Sequence, residues 1–315
     1  MKKHLLFAVF LVVIFPGIIL NCTQNEEIVH TSKDETPAAT EPSFKISVKN
    51  GDSVADMELE EYVLCVVLGE MPATFETEAL KAQAVATRTY TLRKIKTKSK
   101  HQDADICTDP ACCQAFTDKI TYLLSKGVEA DIVKVESAVN ETAGQVLIYG
   151  GELIEATYFS CSGGMTEDAV AVWGTSVPYL ESVVSPGEEH ANRYESTEIF
   201  ELDEFLTALG FPPETQLRNH DISYAYTSGN GVKEMRVLGV TFTGTEIRKL
   251  LSLPSTAFSV EIDGERVSIT TKGNGHRVGM SQYGADAMAL KGSNYKEILA
   301  HYYNGTSLVY MSELS

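Results

Sequence analysis

Residues 101–116 read HQDADICTDPACCQAF and place His101, Cys107, Cys112 and Cys113 within thirteen positions. Thiols and imidazole are ligands that zinc prefers, and one histidine with three cysteines completes its tetrahedron. A turn after Pro110 would bring the adjacent pair Cys112 and Cys113 inward. Four protein ligands leave no position for a reacting water, so zinc held here is structural and closes a loop. In an oxidising compartment a disulfide competes with this reading, but it leaves one of three thiols over, whereas zinc uses all of them. Without Cys112 as a ligand the site would open, and zinc amidase chemistry would return.

Other residues could also do chemistry. Glu70 lies between Gly69 and Met71-Pro72, and taken alone it is a surface carboxylate. Lys81 and Arg88 are seven residues apart, two helical turns, and so share a face. In GHRVGMSQYG, residues 275–284, His276, Ser281, Gln282 and Tyr283 cluster where a glycine-rich turn starts a helix. Ser162 in YFSCSGG lacks the G-x-S-x-G pattern of a serine nucleophile and reads as a strand end shaping a cleft. Cys161 and Cys65 read as small buried thiols.

These residues need elements to position them. FKISVKNG alternates as a first strand before a turn at Asn50-Gly51. LEEYVLCVVLGE has helical spacing and stops before Pro72. A second helix, rich in alanine, covers about 76–94. Two strands flank Gly150-Gly151, which supplies the positive backbone angles of a hairpin. SQYGADAMALKG and YKEILAHYYNG are closing helices, followed by the strand SLVYM. Within 190–255, TEIFELDEFLTALG and GTEIRKLLSL read as helical around the strand-like VKEMRVLGVTF, and the segment carries no chemical motif. It is expected to be an inserted subdomain of a body spanning 43–315. Strands and helices do not alternate regularly, so the class is α+β.

The chain has 315 residues, 43% of them apolar, and a formal net charge of −17. That charge argues against nucleic acid as a partner. Residues 5–20 form an uncharged apolar run after Lys2 and Lys3, short for a span of about 20 residues unless Asn21 and Cys22 extend it. A secretory signal and an uncleaved anchor both fit. The absence of an A-x-A-like site favours an anchor over 1–22 with everything later extracytoplasmic. Asn21 argues against lipidation of Cys22. Residues 23–42 are polar and read as a disordered tether.

Four segments in order, EEYVLCVVLGEMP, EALKAQAVATRTY, YFSCSGG and GHRVGMSQYGADAMA, resemble the SpoIID/LytB family from about Phe44 onward. The resemblance implies a membrane-anchored extracytoplasmic domain that cleaves peptidoglycan glycan, with Glu70 of the Gly-Glu-Met-Pro motif as catalytic acid. A lytic transglycosylase can work with one carboxylate, because the C6 hydroxyl of the sugar attacks C1 and forms a 1,6-anhydro ring. Leu68, Met71 and Phe75 would raise the Glu70 pKa toward neutrality.

Lys81, Arg88, His276, Gln282 and Tyr283 match positions of the family pattern and are implied as substrate-binding residues. Lys81 and Arg88 are expected along the glycan groove, away from Glu70, since a cation beside it would lower its pKa. Arg277 stands where many relatives carry glycine. Some members hold zinc with two His and two Cys; here the matching positions are His101, Cys107, Cys112 and Cys113. The implied partner is a peptidoglycan amidase, stage II sporulation protein P, in sporulation engulfment. The LytB side of the family suggests instead a module that binds glycan or stimulates an amidase.

Overall fold

The computed structural model describes residues 44–97 and 101–314. The expected anchor, Cys22 and the tether lie outside the described residues. Among the described residues no helix is long and apolar enough to cross a membrane.

Strands β1 (Lys45–Asn50) and β2 (Ser53–Glu58) form an antiparallel hairpin. The chain passes directly into α1 (Leu59–Glu70), which buries every residue from Tyr62 to Leu68 and runs through the centre of the main core. Helix α2 (Thr77–Lys96) packs against it, its alanines allowing close approach. A two-residue strand β3 (Ile106–Cys107) then adds to β1 in parallel. Helices α3 (Lys119–Lys126) and α4 (Glu129–Glu141) follow. Next come β4 (Gln145–Tyr149) and β5 (Glu152–Leu153), an antiparallel pair around Gly150 and Gly151, whose φ values of 60° and 85° are those the sequence anticipates.

After β6 (Tyr158–Phe159) and α5 (Ala169–Trp173) the chain enters a second hydrophobic cluster, made of residues between Phe205 and Ile269. Its elements are β7 (Glu195–Glu201), α6 (Leu202–Ala208), β8 (Ile222–Tyr226), β9 (Val232–Val237), β10 (Val240–Thr243), α7 (Gly244–Leu250), β11 (Ala257–Asp263) and β12 (Arg266–Lys272). They make two three-stranded sheets, ordered β10-β9-β8 and β11-β12-β7. The first part of TEIFELDEFLTALG is therefore strand and not helix. Its burial alternates with period two, and β7 pairs with β12 along its whole length. This pairing also carries the second core past residue 255.

The chain returns to the main core through β13 (Met280–Ser281), parallel to β6, then α8 (Gln282–Leu290) and α9 (Tyr295–Tyr302). Asn294 caps α9, accepting from the Lys296 and Glu297 N–H groups. Strand β14 (Ser307–Tyr310) closes on β4. The fold is α+β, with helices and short sheets sharing the main core.

Candidate active site and metal cluster

Proline 72 fixes where Glu70 sits. The residue before a proline is pushed into extended backbone, and Met71 has φ −126° and ψ 134°, so α1 ends with Glu70 as its last residue. The 115–117 segment runs alongside this end. Thr117 N–H donates to Cys65 O at 2.9 Å, and Ala115 N–H donates to Glu70 Oε1 at 2.7 Å. Gly69 permits the approach: a Cβ there would fall 2.9 Å from Phe116 N.

The carboxylate opens on a cavity of about 320 Å³ lined also by Tyr90, Cys113, Tyr158, Phe159, Asn274 and His276, among others. Burial raises the Glu70 pKa above the ordinary carboxylate range, opposed by the Ala115 N–H and by the Gln282 side chain beside it. Met71 and Phe75 are themselves buried, at 2% and 6% exposure. No other acid lines the cavity among the described residues.

Gln282 is 5% exposed and does not line the cavity; its side chain lies beside the Glu70 carboxyl and favours the charged form, although Nε2 makes no hydrogen bond of regular geometry among the described residues. His276 also lines the cavity, edge-on to Phe159 with ring centroids 5.6 Å apart and 5.7 Å from Trp173. Burial and then the field of Arg248 bring its pKa down to about 4. Its Nδ1 accepts the Val278 N–H at 3.1 Å, so the neutral ring carries its proton on Nε2. Tyr283 packs between Phe75 and His190, at 4.9 and 5.4 Å, and does not line the cavity.

Lys81 and Arg88, expected along a glycan groove and away from Glu70, both make ion pairs within the protein. Arg88 is fully buried: its Nε and Nη2 donate to the two oxygens of Glu60 at 2.8 and 2.6 Å, and Nη1 donates to Gln145 O at 3.0 Å. This bidentate pair joins α1, α2 and β4, and its fork is spent. Lys81 is held by Glu78 at 2.8 Å and Glu141 at 2.7 Å, which turns it toward α4. Neither lines the cavity with Glu70.

The motif YFSCSGG contributes Tyr158, Phe159 and Ser160 to the cavity lining. Cys161 is buried, and the buried carboxylate of Glu188, which sequence reasoning missed, accepts from Ser162 N, Ser162 Oγ and Ser185 Oγ at 2.7, 2.9 and 2.5 Å. Ser162 is thus buried and tied to Glu188. Arg277 has φ 65°, the left-handed backbone that glycine favours. Its buried guanidinium donates to Ser162 O, Met165 O and Gly229 O at 2.8, 2.7 and 2.7 Å and pairs with Glu167 at 3.3 Å.

His101, Cys107, Cys112 and Cys113 converge, with one ligand atom from each lying within 4.8 Å of all the others. The turn after Pro110 that brings the cysteine pair round is made by the Cys112 and Cys113 N–H groups, both bonded to Asp109 O. His101 Nε2 is 3.7 Å from Cys112 Sγ and 3.5 Å from Cys113 Sγ, and the two sulfurs are 3.9 Å apart. A tetrahedral zinc with ordinary bond lengths would separate two sulfurs by about 3.8 Å and sulfur from nitrogen by about 3.5 Å. The donor set fits such an ion, and all four positions would be filled by protein. The five described cysteines are free thiols, so the alternative disulfide is not formed. Burial holds the Cys113 thiol up at about 12, and a bound cation would displace that proton. Cys113 also lines the Glu70 cavity, two residues before Ala115.

The profile of the family described as "SpoIID: Stage II sporulation protein" matches residues 48–149. Stage II sporulation protein D of Bacillus subtilis is 37% identical over 278 residues, covering 87% of this chain and 81% of that protein. The protein of the same name from Bacillus amyloliquefaciens is 37% identical over 93% of this chain and 87% of its own. An "Amidase enhancer" of Bacillus subtilis is 29% identical over 77% of this chain but only 39% of its own length.

Proposed function

This chain belongs to the SpoIID family of stage II sporulation proteins, and on that premise we propose that it is a lytic transglycosylase acting on peptidoglycan glycan. The observation that carries the reading is the solitary acid. Glu70 is the one carboxyl group lining its cavity among the described residues, and burial keeps it protonated to higher pH than an ordinary glutamate. Hydrolases of glycosides use two carboxylates flanking the bond; a transglycosylase needs one. Glu70 protonates the glycosidic oxygen between N-acetylmuramic acid and N-acetylglucosamine as the C1–O bond breaks. The muramic C6 hydroxyl then bonds to C1, giving its proton to the same carboxylate and restoring the acid. On this reading His276, which lines the cavity, and Gln282, beside the acid, contact sugar oxygens or an N-acetyl carbonyl.

The ion that suits the four-ligand cluster is zinc, in a structural role: it would hold the loop that ends in the Ala115 N–H. The wider setting is an extracytoplasmic domain on an N-terminal membrane anchor, acting in sporulation on glycan stripped of stem peptides by the amidase stage II sporulation protein P. Digestion of peptide-free glycan by the purified chain should give 1,6-anhydro-muramyl products by mass spectrometry. Reducing-end products would mean hydrolysis, and undiminished cleavage by Glu70→Gln would remove Glu70 as the acid.

The similarity to an amidase enhancer favours a second reading, a glycan-binding module that stimulates an amidase. In that case Glu70→Gln stimulates the amidase as well as the parent does, and neither forms anhydro-sugar. A zinc amidase at the cysteine cluster is disfavoured by its four protein ligands.

A further inference from the structure

Asn274 lines the cavity that holds Glu70, and the proposed reaction gives it no part. It stands between Gly273 and Gly275, whose φ values of 78° and 114° lie in the region that favours glycine. Neither neighbour has room for a side chain: a Cβ on Gly273 would fall 2.6 Å from Ser162 O, and one on Gly275 2.9 Å from Phe159 Cβ. The three successive N–H groups are each tied to a different segment. Gly273 donates to Tyr194 O at 2.9 Å, Asn274 to Cys161 O at 2.7 Å and Gly275 to Pro254 O at 3.1 Å, while Asn274 O accepts the Cys161 N–H at 3.2 Å. The side chain of Asn274 is therefore held at the cavity by its main chain alone.

Among the described residues two side-chain amides line the cavity, and they differ. That of Gln114 is spent: Nε2 donates to Tyr62 Oη at 3.2 Å and to Thr91 Oγ1 at 3.0 Å, and Oε1 accepts the Tyr158 hydroxyl at 2.9 Å. That of Asn274 is half-buried and bonds to none of the described residues. An amide both donates and accepts, so it suits a ligand group that does the same. Tyr90, Tyr158 and Phe159 give the same cavity an aromatic surface, and Phe159 adjoins Gly275. A group that joins an amide to a methyl meets both, its N–H or C=O pairing with Asn274 and its methyl resting on a ring. On a sugar that group is the 2-acetamido substituent.

We infer that Asn274 binds a 2-acetamido group of the glycan, and so separates N-acetylated sugars from those that carry a hydroxyl at C2. The inference rests on the glycan reading for its choice of ligand.

Calorimetric titration of the full chain carrying Glu70→Gln, which halts turnover, tests it with chitotetraose and cellotetraose. These are neutral β-1,4 tetrasaccharides that differ only in acetamido against hydroxyl at C2. Chitotetraose should bind about tenfold or more tightly, as one added hydrogen bond and a covered methyl would give. Adding Asn274→Ala should cut that preference to about threefold or less. It should leave cellotetraose affinity and the melting temperature where they were, because the side chain supports nothing else in the protein.

Equal binding of the two sugars, no binding of chitotetraose, or a preference that survives Asn274→Ala would overturn the inference. If the alanine chain does not fold, Asn274→Leu, similar in volume and without polar atoms, decides. Failure of both to fold would make Asn274 a structural residue and overturn the inference as well. The product assay on peptide-free glycan stands apart: absence of anhydro product from the parent chain, with the acetamido preference intact, would remove the transglycosylase reading and leave Asn274 in its role.

Discussion

The Ala115 N–H donates to Glu70 Oε1 across 2.7 Å, two residues beyond Cys113. The acid and the cysteine cluster are thereby one mechanical unit, because whatever fixes Cys113 also fixes the donor that aims the carboxylate. Metal removal should therefore weaken folding first and cleavage through it. Metal analysis of the purified chain should give one zinc per molecule. A strong chelator should lower the melting temperature, since an ion at a thousand times its Kd contributes roughly 4 kcal/mol. Cys113→Ser should behave like the chelated protein. A melting curve indifferent to chelation would remove the structural ion.

Protonation of Glu70 has an effect on stability as well as on rate. Its folded pKa lies above the unfolded value of about 4.3. Between the two values the folded chain keeps a proton that the unfolded chain has lost, so stability declines as pH rises through that window. Glu70→Gln has no such proton. It should match the parent below about pH 4, exceed it in denaturant melts at neutral and alkaline pH, and lose cleavage by about 100-fold or more. Cleavage by the parent should fall as pH climbs through the raised pKa. A parent and variant with parallel stability profiles would contradict the burial of the acid.

Arg88 shares two hydrogen bonds with Glu60 inside the protein. Arg88→Ala removes a fully buried guanidinium, leaves the Gln145 carbonyl without that donor and costs the part-exposed Glu60 carboxylate two of its bonds, which should cost about 1–3 kcal/mol in equilibrium unfolding. Glycan affinity of the fraction that remains folded should be unchanged. A stable variant with weakened glycan binding would return Arg88 to the groove.

Gln282 buries an amide beside Glu70 whose Nε2 makes no hydrogen bond of regular geometry among the described residues. Gln282→Leu removes that unsatisfied group and should leave stability equal or raise it by up to about 1 kcal/mol. Cleavage should fall about tenfold or more if the amide meets the sugar. A thermal melt and a product assay on one preparation separate the two effects; unaltered cleavage would leave Gln282 as ordinary core.

Much of this was legible in the residues. Helices α1 and α2 announce themselves by apolar spacing and alanine content, and the β4–β5 hairpin by its two glycines. The cysteine cluster is readable because its ligand types are few. Helices α3 and α4 were not anticipated, and α3 shows why: Ile120 and Leu124 are 71% and 85% exposed, so its apolar residues do not mark an inward face. Strand β7 looks helical until its partner β12, some seventy residues away, is known.

The ion pair of Arg88 is not readable from sequence because its partner Glu60 belongs to another helix, 28 residues earlier. Glu188 sits in a loop with no motif. The Ala115 contribution is a backbone N–H, which every residue but proline owns. No side-chain pattern could reveal it.

Cys113 faces two ways, into the four-ligand cluster and into the cavity of the acid. On the proposed reading an ion held there would serve two ends at once, closing the 101–116 loop and, through the Ala115 N–H, steadying the aim of the glutamate.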